Sequence, residues 1–105
     1  INELMDRAPD EKTMKAINDA ILSTPGVVMI NQLKARKQGG ELYMDLKICV
    51  DPNITVKEGH NIASKTKQNI KRAVENAADI MIHVNPCRHM DIDNSPQCKD
   101  CELSK

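Results

Sequence analysis

The chain has 105 residues, and its 15 Lys and Arg balance 15 Asp and Glu, so the formal net charge is zero. That length holds one domain plus a tail, and the balance excludes both a global basic field for nucleic acid and the acidic excess of a disordered chain. With no Trp, no Phe and one Tyr, the core must be built from Ile, Leu, Val, Met and Ala. A partner subunit or a metal is then expected to supplement its burial, because a domain this small buries only about 60–65% of its unfolded surface.

Residues 9–24 read as a helix. Pro9 suits a first-turn position, Asp10 and Glu11 complement the helix dipole, and Met14, Ile17 and Ile21 recur at helical spacing. Thr24-Pro25-Gly26 stops it. Residues 27–37 begin β-rich with Val27, Val28, Met29 and Ile30, and Gln38-Gly39-Gly40 is a hairpin turn. Residues 41–50 alternate: Leu42, Met44, Leu46, Ile48 and Val50 point one way, and Tyr43, Asp45, Lys47 and Cys49 the other.

Asp51-Pro52-Asn53 breaks that strand, and Thr55-Val56-Lys57-Glu58 is a capping box that opens a second helix. Val56, Gly59, Ala63, Thr66, Ile70, Val74 and Ala77 form its apolar stripe, with His60 at the flank. Residues 79–84 form a last strand, with Ile80, Ile82 and Val84 on one side and Met81 and His83 on the other. A strand, crossover helix and strand imply parallel neighbours. The expected architecture is α+β, an αββαβ chain with a mixed three-stranded sheet in sequential order and both helices on one face. Asp45 and His83 then share the uncovered face, and His60 is placed to reach the sheet edge.

From Pro86 onward the composition turns polar, and residues 87–105 read as a tail carrying Cys87, His89, Cys98 and Cys101 in a C-x-H-x₈-C-x₂-C arrangement. The C-x₂-C half lets two thiolates grip one tetrahedral ion, and the four side chains together make a zinc set; the plain alternative is a tail with incidental thiols. No secretory signal is present, so the four Cys read as reduced thiols or metal ligands rather than a disulfide framework, in a cytoplasmic setting. Cys49 reads as a small apolar residue. No run of 18 apolar residues offers a membrane span. The start Ile1-Asn2-Glu3, without an initiator Met, reads as a fragment of something longer. Nothing resembles a nucleophile–base pair, a phosphate loop or a paired-carboxylate site, so no enzyme activity is expected.

Imidazole, carboxylate and thiolate are the ligand types of first-row transition metals. The bland alternatives are a solvated helix-surface His60, an interface His83, and an Asp45 salt-bridged to Lys47 or to a partner chain.

The segments Leu4-Met5-Asp6, Pro25-Gly26-Val27, Val50-Asp51-Pro52, Gly59-His60-Asn61-Ile62-Ala63 and Ile82-His83-Val84-Asn85-Pro86, in this order, resemble the cytoplasmic C-terminal domain of cation diffusion facilitator transporters over residues 3–86. The resemblance implies a ferredoxin-like, metallochaperone-like fold for residues 1–86 and a V-shaped homodimer. It also implies divalent-metal sensing at the cytoplasmic face of a cell or magnetosome membrane, with proton-coupled export by a transmembrane domain absent from this chain. Carried over residue by residue, His60 and His83 match metal-binding positions of several members, and Asp45 matches an acidic ligand of the magnetosome-associated members. Zinc exporters often carry His where this chain has Asn31 and Lys47, and Asp where it has Asn85. The pattern is therefore nearer the magnetosome type, and the expected cofactor is a divalent zinc, iron or manganese ion. Two rival readings stand beside it: a free-standing metallochaperone or metal-storage module, and a small-molecule-sensing ferredoxin-like regulatory domain.

Overall fold

The computed structural model describes residues 7–87, and five elements run through them: α1 (Glu11–Leu22), β1 (Met29–Gln38), β2 (Glu41–Val50), α2 (Val56–Ala73) and β3 (Ala77–Pro86). Helix α1 starts two residues later than its spacing predicts. Asp10 is its N-cap, with extended backbone and a side chain that accepts from the Thr13 backbone N–H at 2.7 Å. That bond fixes Asp10 outside the first turn and holds its carboxyl below the ordinary range. At the other end Thr24 is buried; its hydroxyl donates to the Ala20 carbonyl and accepts from Asn69 Nδ2 at 2.9 Å, tying α1 to α2. The chain then leaves through Gly26 at φ +99°, where an added Cβ would meet Ile62 Cδ1 at 2.6 Å. Only glycine fits that turn against α2.

The β1–β2 hairpin closes on Gly39 and Gly40, both at positive φ, as a two-residue turn requires. The strands pair antiparallel from Met29↔Cys49 to Gln38↔Glu41, with a register shift between Ile30 and Gln32. Helix α2 carries the predicted capping box: Glu58 N–H donates to Thr55 Oγ1 at 3.0 Å, and Thr55 N–H donates to Glu58 Oε1 at 3.1 Å. It returns the chain to β3, which lies parallel to β2 in the order β1-β2-β3. Strand β3 is longer than the 79–84 run its hydrophobicity suggests. Register with the ten-residue β2 continues from Leu42↔Ala77 to Val50↔Pro86, so ladder hydrogen bonds define its ends where side-chain pattern does not.

Ile17 and Ile21 from α1, Ile70 from α2 and Leu42, Leu46 and Ile48 from β2 form a fully buried aliphatic core. Buried Thr66 donates its hydroxyl to the Ile62 carbonyl at 2.7 Å, so no polar group is stranded there. The predicted stripe needs two corrections: Val56, at the first helical position, is 92% exposed, because it precedes the turn where α2 reaches the sheet, and Ala77 lies past the end of α2 as the first residue of β3. No helix among the described residues is long and apolar enough to cross a membrane.

Candidate metal centre

Alternation along β2 sends Leu42, Met44, Leu46 and Ile48 into the core and Tyr43, Asp45 and Lys47 to the face the helices leave open. Parallel register sets Asp45 beside Met81 and Lys47 beside His83. Antiparallel register sets Lys34 beside Asp45 and Arg36 beside Tyr43, whose ring the guanidinium covers at 5.1 Å from the centroid. On this face His83 Nε2 lies 3.3 Å from Asp45 Oδ1, with the two side chains 48% and 51% exposed. A carboxylate oxygen and an imidazole nitrogen at that separation form a direct ion pair when His83 is protonated. When it is neutral they are two donors of the type first-row metals take.

Two donors do not close a coordination shell, which for zinc holds four. Among the described residues no group of three or more His, Cys, Asp or Glu is placed to hold an ion. Within one copy of the chain, the described residues do not bring Asp45, His60 and His83 into one group. His60 is exposed on the first turns of α2, in a groove of about 440 Å³ between the start of the helix and the sheet. That groove is lined by Ile54, Val56, Ile82 and Val84, and Ile82 and Val84 are the β3 side chains that pack on the core. His83 alternates with them and emerges on the opposite face. The crossover helix, on the covered face, puts the sheet between the two histidines.

The cysteines also depart from expectation. Cys49 and Cys87 are joined as a disulfide, with Cα atoms 5.0 Å apart, and both are buried against Val28 and Met29. Cys87 thus belongs to the folded domain: its N–H donates to the Val50 carbonyl at 2.8 Å, one step past the end of β3, and its side chain packs beside Cys49. The period of two carried the signal. Asp45, Lys47 and Cys49 occupy alternate positions of β2, and His83, Asn85 and Cys87 those of β3, so parallel pairing brings the two cysteines to one end of one face. His89, Cys98 and Cys101, the other members of the tail set, lie outside the described residues.

Known proteins resemble this chain in sequence and in fold. The manganese efflux system protein MneP of Bacillus subtilis (strain 168) is 29% identical over 86 residues, covering 82% of this chain and 29% of its own length. The magnetosome protein MamB of Paramagnetospirillum magneticum (strain ATCC 700264 / AMB-1) is likewise 29% identical over 86 residues, with the same coverage of 82% and 29%. The chain thus spans under a third of each of these relatives. Among solved structures, a nickel form of a MamM C-terminal domain variant superposes with a TM-score of 0.70 and 25% identity, over 73% of this chain and 98% of that one. The family profile described as the cation efflux protein, cytoplasmic domain, runs through residues 9–87, from the residue before the cap of α1 to the cysteine that follows β3; to that family this chain belongs.

Proposed function

We propose that this is the metal-sensing and dimerisation domain of a divalent-cation efflux transporter, and that its ion is held between two copies of the domain. The observation that carries the reading is the Asp45–His83 pair, 3.3 Å apart on the sheet face that no helix covers. One pair is half a shell; two pairs facing across a twofold axis supply four donors, two oxygen and two nitrogen. The apolar material for such an interface lies beside the pair, in Tyr43 and the 55% exposed Met81. Without an ion, two copies of Asp45 repel at the junction; with one, the attraction of both carboxylates for the cation draws the copies together. The dimer then differs in affinity for metal between its tight and loose forms, which is all that coupling to a membrane domain requires. A difference of about 1–3 kcal/mol shifts an equilibrium roughly 5–150-fold. The setting at the cytoplasmic face of a membrane and the transport activity belong to the same reading, supported by the relatives named above.

The test is sedimentation of the full chain at tens of micromolar, with and without manganese, zinc or nickel. The expected result is a dimer that metal tightens, and an Asp45→Ala/His83→Ala double variant whose association no longer depends on metal. A chain that stays monomeric throughout, or a double variant that responds as the parent does, overturns the reading.

A further inference from the structure

The cysteine pair is unused by the reading above and independent of it. Cys49 and Cys87 are 0% and 1% exposed, lie with Cα atoms 5.0 Å apart, and are packed against Val28 and Met29. Three sulfur-bearing side chains therefore meet in one apolar, water-poor spot at the end of the open face: two cysteines on neighbouring strands and a methionine opposite Cys49 in the β1–β2 register. Among the described residues no third His, Cys, Asp or Glu joins them, so the spot cannot offer the closed shell that zinc takes. Two thiolates and a thioether are instead the donors that select Cu(I), and the chemically similar Ag(I), over harder divalent ions.

We propose that the reduced Cys49–Cys87 pair, with Met29, is a binding site for a soft monovalent cation, Cu(I) or Ag(I). The disulfide is the closed form of that site. A dithiol reductant opens it: two electrons and two protons cleave the S–S bond and leave two thiols, while the reductant becomes a cyclic disulfide. One Cu(I) then displaces the two thiol protons to solvent and forms two S–Cu bonds, and the Met29 thioether gives a third, neutral donor. The strand spacing sets this sulfur site four residues along β2 and β3 from Asp45 and His83, about 13 Å at 3.3 Å per residue. One face would thus carry a borderline-metal half-site and a soft-metal site in a row, each deaf to the other's ion.

The full chain carrying Cys98→Ser and Cys101→Ser, which removes the other two thiols, isolates the site. It is reduced under anaerobic conditions and titrated with Cu(I) delivered as its bicinchoninate complex. One Cu(I) per chain is expected, with a near-ultraviolet thiolate-to-copper band. Oxidation to the disulfide beforehand should abolish uptake, Cys87→Ser should lower affinity at least a hundredfold, and Met29→Leu, a conservative packing change, about tenfold. Asp45→Ala/His83→Ala should bind Cu(I) as the parent does. No uptake by the reduced parent overturns the proposal, and so does parent-like binding by both Cys87→Ser and Met29→Leu, with circular dichroism showing each variant folded.

Discussion

One strand, β2, supplies both faces of the sheet, and the two faces obey different rules. Leu42, Met44, Leu46 and Ile48 are buried under α1 and α2, where what counts is volume and apolar area. Tyr43, Asp45 and Lys47, interleaved with them, stay half-buried or exposed and carry charge and donor atoms. Asp has low strand propensity, so a carboxylate in the centre of a three-stranded sheet is costly unless that face does something other than fold the chain. The covered face thus accounts for stability and the open face for chemistry, with the strand backbones the structure they share.

That division can be broken or sharpened by experiment. The largest effect is expected on the covered face: Leu46→Ala leaves a void under both helices and should cost about 2–5 kcal/mol in urea unfolding. Asp45→Ala, one residue away, should cost about 1 kcal/mol or less without metal, because a half-exposed ion pair is worth little. Equal losses would show that the faces are not separable.

The next effect belongs to the open face alone. A divalent ion at a hundredfold excess over its Kd should stabilise the native chain by about 2.7 kcal/mol, read as a rise in Tm. Asp45→Ala/His83→Ala should remove that rise and His60→Ala should leave it, since His60 stands on the other side of the sheet. A smaller effect concerns acidity. Imidazole must be neutral to coordinate, so protons compete with the ion and metal affinity should be weaker in mildly acidic than in neutral solution. Calorimetry giving equal affinities at mildly acidic and neutral pH would remove histidine from the site.

The smallest effect tests the covered face from its rim. The Thr13 backbone N–H holds the Asp10 carboxyl below its usual range. A lowered folded value means that this contribution is complete above the unfolded value of about 3.9 and is lost as pH falls through the folded one. Asp10→Asn keeps a good cap but cannot titrate, so it should flatten the acid limb of the stability curve below about pH 4 and leave neutral stability nearly unchanged. An acid limb identical to the parent's would show that Asp10 contributes nothing there.

How much of this was legible in the chain follows from the range of the interactions involved. The alternation of residues 41–50, the Gly39-Gly40 turn and the Thr55–Glu58 box are local patterns, and each appears as read. The ends of β3 were not legible, because the β2 ladder sets them through a partner distant in sequence. For His60 motif spacing gives a place on α2 near the sheet edge, and the groove it shares with Ile82 and Val84 depends on how α2 packs against β3. Cys87 was grouped by neighbourhood in sequence with His89, whereas strand pairing gives it to Cys49. The Asp45–His83 pair was legible because two period-two patterns and one topological rule suffice to put both side chains on one face.

The parallel β2–β3 pairing has a kinetic corollary. Hairpin β1–β2 closes through two glycines, whereas Asp45 and His83 lie on strands joined by the α2 crossover, a pairing of longer range in sequence. An unfolded chain offers these two groups no shared geometry, and a transition state built on the hairpin offers little more. An ion bound at the pair is accordingly a late arrival on the folding route. It should act as a brake on unfolding, lengthening the lifetime of the native state while the refolding rate stays nearly constant.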